Sequence, residues 1–273
     1  MADGLLDRIG RRIAGFLAGE SSGYQPFTPS DPETLRATLQ PADVLLVEGN
    51  QRISVAIKYL SQSTWSHAAL YVGDPMKPGS DDDKVLIEVT LAEGCVAVPL
   101  AKYRKHNTRI CRPVGLTPTD RRAVTDFMIS SLGRRYDTKN IVDLLRYMLP
   151  TPPVPVRWRR RLIALGSGDP TRAICSSLIA EAFGRVNYPI LPIVEPPAAV
   201  AATKPVSPYS RGEILHIRHY SLYTPRDFDL SPYFRVVKPT IERGFDYKKL
   251  HWSEADAVAA AASPRDRIAG PSS

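Results

Sequence analysis

Cys175, His67 and Glu88 are the side chains whose types and settings suit covalent chemistry. They stand in three segments of different texture: Ser66-His67-Ala68-Ala69-Leu70-Tyr71-Val72-Gly73, Val85-Leu86-Ile87-Glu88-Val89-Thr90, and Ile174-Cys175-Ser176-Ser177-Leu178-Ile179-Ala180-Glu181-Ala182-Phe183. The first two read as β-strands, each with one polar residue among apolar ones. The third reads as a helix that begins near a cysteine. Thiolate is the nucleophilic form of cysteine, and a helix N-terminus and an imidazolium both favour it. A carboxylate on the other side of the ring would hold the imidazole in one tautomer and orientation.

Each residue also has a plainer reading. Buried structural cysteine is common, and Cys175 lies three and four positions before Leu178 and Ile179, on the side of its helix that faces the core. The turn Asp169-Pro170-Thr171 just upstream keeps it in or near the first helical turn. The unpaired backbone N–H groups of that turn, with Ser176 next in the chain, could form an oxyanion hole. Alternation puts His67, Ala69 and Tyr71 on one strand face, where a lone histidine is most often a satisfied polar group. Glu88 is the one charge between Val85 and Val89. A carboxylate inside a short apolar strand is rarely found unpaired. Three such choices in three core elements carry more weight together than each does alone.

The elements that must position them are short strands followed by helices. Asp43 to Val47, His67 to Val72, Val85 to Thr90, Cys95 to Val98 and Thr108 to Arg112 read as strands, with a hairpin through Ala92-Glu93-Gly94. Such a meander suggests an antiparallel sheet. Helical spacing marks residues 53–60, 117–132, 140–149 and about 175–186, the last two separated by a Pro-rich extended stretch after Pro150. Residues 192–208 read as a long irregular loop, and 213–217 and 234–237 as late strands. Domain organisation follows: an amphipathic helix within residues 1–20, a linker over 21–38, a main domain over 39–240, and a C-terminal extension over 241–273, partly disordered.

The order His–Glu–Cys, with Ser-His-Ala-Ala-Leu-Tyr-Val-Gly around His67 and Ile-Cys-Ser-Ser-Leu-Ile-Ala around Cys175, resembles the circularly permuted branch of the NlpC/P60 papain-like superfamily. More narrowly it is similar to the YiiX/YaeF/YebB group of permuted papain-like amidases. Gln40-Pro41-Ala42-Asp43-Val44-Leu45-Leu46 resembles that family's Pro-Gly-Asp strand start, with Ala42 where glycine is usual. Leu132-Gly133-Arg134-Arg135-Tyr136-Asp137 and Tyr223-Thr224-Pro225-Arg226-Asp227-Phe228-Asp229 match two further segments. The resemblance spans roughly residues 39–240 and implies an α+β permuted papain-like fold, an antiparallel sheet packed against helices. Within it the helix-start Cys175 would meet His67 on the sheet, Glu88 would orient the ring, and Tyr136 would lie near the site as a substrate or oxyanion residue. Members are assigned as amidases or peptidases, and related permuted enzymes transfer acyl groups from lipids.

Composition bounds the rest. Three cysteines, Cys95, Cys111 and Cys175, do not make a disulfide framework. No C-x-x-C or H-E-x-x-H spacing occurs, so no metal is expected, and the chemistry requires no cofactor. No apolar run approaches the roughly 20 residues that span a bilayer, and the charged N-terminus is a poor signal peptide. The expected location is the cytoplasm, with peripheral membrane contact open. The net charge of +8 suits anionic partners or a merely solvated surface. Arg157, Trp158, Arg159, Arg160 and Arg161 form a basic patch with an aromatic. Nucleic acid is disfavoured, because no RNP, helix-turn-helix or zinc-finger pattern accompanies it. An anionic membrane surface is the better functional partner for the patch and for the amphipathic helix over residues 4–18.

The sequence therefore points to a cysteine hydrolase that acts on an amide or ester of a peptide, small molecule or lipid through a Cys175 acyl-enzyme. Two alternatives stay open. One is a lipid-directed acyltransferase or thioesterase on the same three residues. The other is a catalytically silent module that binds a membrane surface or a partner.

Overall fold

The computed structural model describes residues 19, 26, 31–73, 84–90, 93–134, 174–195, 214–216 and 219–249. The expected amphipathic helix near the N-terminus, the expected helix over 140–149, the Pro-rich stretch, Tyr136, the Arg157–Arg161 cluster and the tail from 250 lie outside the described residues. The chain divides into two compact units, 1–239 and 240–273. In the second, a short 3-10 helix, Tyr247–Lys249, follows a turn in which Asp246 Oδ1 accepts from the Lys248 N–H at 3.0 Å.

The first unit is built on six antiparallel strands. In chain order they are β1 (Val44–Val47), β2 (His67–Tyr71), β3 (Lys84–Thr90), β4 (Gly94–Pro99), β5 (Thr108–Pro113) and β8 (Phe234–Val237), arranged β4-β3-β2-β1-β5-β8. The expected antiparallel meander is thus present. The register places Val47 opposite His67, and Ala69 opposite Glu88. A separate ribbon pairs β6 (Ile193–Glu195) with β7 (Ile214–His216). The start of the 192–208 stretch is therefore a strand rather than loop. Three residues are too few to show a period, and the pairing partner lies about twenty residues on.

Both faces of the sheet are covered, as the uniformly buried β1 requires. Successive side chains of a strand point to opposite faces. Leu46, Ala68, Leu70, Ile87 and Val89 join one buried cluster with Leu178, Ile179, Ala182 and Phe183 of α4 (Ile174–Arg185) and Val124, Phe127 and Met128 of α3 (Pro118–Ser130). Leu45, Val47, Ala69, Tyr71, Leu86 and Ile110 join the other with Leu35 of α1 (Pro32–Thr38), Leu39, and Leu100 and Tyr103 of the 3-10 helix Leu100–Tyr103. Each fully buried Leu, Ile or Phe contributes about 1.5–3 kcal/mol, so both helical layers are firmly docked.

Helix ends follow local chemistry. Thr117 caps α3, its hydroxyl accepting from the Asp120 N–H at 3.1 Å, with Pro118 in the first turn. After α3, Gly133 has φ +80°, a left-handed conformation suited to glycine. Its N–H donates to Cys95 O, and the Cys95 N–H donates to Arg134 O, which pins the helix end to β4.

The expected linker over 21–38 needs correction at its end. Residues 32–38 form α1, capped by Asp31 Oδ2 on the Thr34 N–H at 2.9 Å. Leu35 is 1% exposed, so this turn of helix belongs to the core. α2 (Arg52–Ser61) and α5 (Pro225–Leu230) are joined ahead of β2, where Arg226 Nη1 donates to Ser61 O at 3.0 Å.

Candidate active site

His67 is the first residue of β2, and the chain entering it is held on both sides. The Ser66 hydroxyl accepts from the Gly49 N–H at 2.9 Å. A Cβ at Gly49 would stand 2.4 Å from Ser54 Oγ and 2.9 Å from Ser66 Oγ, so a side chain there would break this clasp. On the other side, Trp65 Nε1 donates to Asp229 Oδ2 at 3.1 Å. Arg109 Nη1 donates to both Asp229 oxygens at 2.7 and 2.9 Å and lies over the Trp65 ring at 4.9 Å. Asp229 sits on α5, which begins with a capping box between Thr224 and Asp227. The matched segment around residues 223–229 thus steadies the approach to His67.

Glu88 lies on β3 opposite Ala69, two places along from His67. Opposed residues share a face, so Glu88 and His67 point to the same side of the sheet as diagonal neighbours. Their side chains meet: His67 Nε2 lies 2.9 Å from Glu88 Oε2. Glu88 is fully buried and has two further partners, Lys102 Nζ on Oε1 and the Tyr103 hydroxyl on Oε2.

Cys175 is the second residue of α4, buried in its first turn. Its helix packs on one face of the sheet, whereas His67 and Glu88 emerge on the other. Where β2 begins, the charge and side chain of Cys175 act on the His67 ring. With Nε2 taken by Glu88, Nδ1 is the ring nitrogen left for sulfur. The start of α4 is anchored in turn: the Ser176 hydroxyl donates to Tyr223 O at 2.6 Å. That hydroxyl docks the start of α4 on the residue that follows the 3-10 helix Tyr220–Leu222.

Electrostatics favour a charged ring. Burial lowers the tendency of His67 to protonate, but the negative charges of Cys175 and Glu88 and their hydrogen bonds outweigh it and push the imidazole up to about 10. Burial raises Glu88, yet the His67 and Lys102 charges and hydrogen bonds bring its carboxyl down to about 2. The other two thiols differ. Burial raises Cys95 to about 11, and burial pushes Cys111 far above the ordinary thiol range. The arrangement can therefore present sulfur, a proton-carrying imidazole and a fixed carboxylate in line. Among the described residues no three His, Cys, Asp or Glu side chains converge as metal ligands.

Of the residues singled out in the sequence, His67 and Glu88 are joined by a hydrogen bond, the Cys175 side chain acts on the His67 ring, and Ser176 follows Cys175 on α4. Tyr136, Arg157, Trp158, Arg159, Arg160 and Arg161 lie outside the described residues. Lys102 and Tyr103 were not expected at the site. The available signal was Glu88 itself, since a carboxylate inside an apolar strand needs counter-charge beyond one histidine. The basic run Lys102-Tyr103-Arg104-Lys105-His106 follows closely on β4.

No family model matches the chain. The chain is similar to the probable lipoprotein peptidase YaeF of Escherichia coli (strain K12), 25% identical over 168 residues that make up 56% of this chain and 58% of that protein. It thus spans less than two thirds of the length of that relative. Among solved structures, the metalloprotein YiiX from Escherichia coli O157:H7 aligns with a TM-score of 0.43 at 14% identity, over 74% of this chain and 97% of that one. The name YaeF belongs to the group that the His67 and Cys175 motifs resemble.

Proposed function

We propose that this protein is a cysteine-dependent hydrolase of the amidase or peptidase kind, acting through an acyl-enzyme on Cys175. The observation that supports this reading is the 2.9 Å bond between His67 and the fully buried Glu88, with Cys175 in the first turn of α4 acting on the same ring. The name of the similar YaeF, a probable lipoprotein peptidase, favours a peptide substrate.

The steps balance on these residues alone. The Cys175 sulfur attacks the substrate carbonyl, and the tetrahedral oxyanion is met by backbone N–H groups at the start of α4. His67 delivers its proton to the leaving nitrogen as the C–N bond breaks, which leaves a thioester on Cys175. Water then attacks the thioester while His67 takes its proton. The acid departs, and the sulfur and imidazolium are restored. Glu88 holds the Nε2–H throughout, so the ring presents Nδ1 to both reactions.

The test is turnover of a peptide library in water enriched in oxygen-18. Incorporation of the label into new carboxyl termini by the wild type, and not by Cys175→Ser, supports hydrolysis. Transfer of an acyl group to an amine or lipid acceptor without label would favour the acyltransferase reading. Equal turnover by Cys175→Ser would overturn both.

A further inference from the structure

Glu88 has more partners than an orienting carboxylate needs. His67 Nε2 and the Tyr103 hydroxyl share Oε2, and Lys102 Nζ takes Oε1. Lys102 and Tyr103 are neighbours on the one-turn 3-10 helix that follows β4, and buried Leu100 seats that turn in the core. No residue of the proposed reaction accounts for this second pair of donors.

We propose that Lys102 and Tyr103 are positioning residues of the active site, a clamp that keeps Glu88 ionised and fixes the oxygen on which His67 is aligned. The proposal rests on the hydrolase reading and extends the site beyond its three residues. Glu88 lies between two basic side chains, His67 on Oε2 and Lys102 on Oε1. Without Lys102, the fully buried carboxylate would lose one of these two partners, and its protonation would be the favoured relief.

Among the described residues, the groups that face Glu88 are few. His67 comes from β2, Lys102 and Tyr103 from the 3-10 helix, and the Cys175 charge on α4 acts on both His67 and Tyr103. The β4 residue opposite Glu88 is the apolar Val96. Tyr103 stays a donor, since burial and the Glu88 charge push its hydroxyl well above its ordinary range. The two residues then divide the work. Lys102 supplies charge, and neutral Tyr103 supplies direction. Lys102 is also 40% exposed, so changing its head group need not leave a cavity.

The experiment follows the Glu88 carboxyl by carbon-13 NMR across pH, together with iodoacetamide alkylation of Cys175, in the full chain and in Lys102→Met, Lys102→Gln, Lys102→Arg and Tyr103→Phe. Opposite charge at this range lowers a carboxyl midpoint by about one to three pH units. Lys102→Met and Lys102→Gln should therefore raise the Glu88 midpoint by that amount, and Lys102→Arg should restore it. Tyr103→Phe keeps the charge. It should move the midpoint by less than about one pH unit and slow alkylation roughly twofold to tenfold, the loss of one hydrogen bond.

A Glu88 midpoint that is the same in Lys102→Met, Lys102→Gln and wild type would overturn the clamp, as would failure of Lys102→Arg to restore it. A purely structural role would lower thermal stability and leave the midpoint in place. If Cys175 of the wild type alkylates no faster than Cys95, the hydrolase reading falls instead, and the Glu88 titration still decides the clamp.

Discussion

Replacing Glu88 with glutamine keeps the size of the side chain and removes its charge. In the wild type the His67 midpoint stands at about 10 against an ordinary 6.5, although burial works in the opposite direction. That gap is about 3.5 pH units, or roughly 5 kcal/mol of preference for the charged ring at 1.36 kcal/mol per unit. Two negative groups supply it, Cys175 and Glu88, and they must also offset the burial cost. If they share the effect evenly, Glu88→Gln lowers the His67 midpoint by at least about two pH units, worth roughly 3 kcal/mol.

A ring whose folded midpoint is raised contributes stability that is fully present below pH 6.5 and is lost as pH rises through about 10. In Glu88→Gln that loss moves down toward neutral pH. Glu88 itself is depressed, so its contribution is present above pH 4.5 and is lost as pH falls through about 2. The variant should lack this acid-side transition. Nitrogen-15 NMR of the imidazole gives the midpoint directly, and thermal melts across pH give the linkage. A His67 midpoint unmoved by Glu88→Gln would refute the reasoning, because the carboxylate would then not be what holds the charged ring.

Other expectations follow from the same structure. Cys175 should be alkylated fastest of the three thiols at neutral pH, because Cys95 is raised to about 11 and Cys111 is raised further; site-resolved mass spectrometry should find the fast phase lost in Cys175→Ser and slowed in His67→Ala. Ala42 has φ +72° where the resembled family carries glycine, so Ala42→Gly should change stability by no more than about 1 kcal/mol, relief of strain offsetting one lost buried methyl, while the β-branched Ala42→Val should cost several kcal/mol in a denaturant melt. If residues 1–20 and the Arg157–Arg161 cluster anchor the protein to anionic membrane, vesicle sedimentation should show binding that salt reverses. Four arginines at about 1 kcal/mol each would supply much of it, and equal, negligible binding to neutral and anionic vesicles would discard the anchor.

The sheet and the elements that carry the three candidate residues were legible because each rests on a local signal. Alternation around His67 and Glu88 marks strands, and the 3.6 period from Cys175 through Phe183 marks a helix with the thiol in its first turn. What escaped is set by length or by distance along the chain. Residues 32–38 make a helix of under two turns, whose sign is a cap at Asp31 and a single buried Leu35 rather than a repeating stripe. β6 has only three residues and needs its partner to exist. Lys102 and Tyr103 stand on one turn of 3-10 helix, and only the β3–β4 register delivers them to Glu88. The brace from Asp229 to Trp65 joins residues 164 apart. That the Cys175 helix and the His67–Glu88 pair lie on opposite faces is a property of the assembled sheet, which no single segment encodes.

The central claim is that Cys175 carries the acyl group, and trapping that group tests it most directly. The wild type would be mixed with activated-ester peptides, quenched in acid within the first turnover, and digested for mass spectrometry. The expected result is one acyl adduct on the Cys175 peptide, absent from Cys175→Ser and strongly reduced in His67→Ala. An adduct on Cys95 or Cys111 instead, or the same yield on Cys175 with His67 removed, would contradict the account.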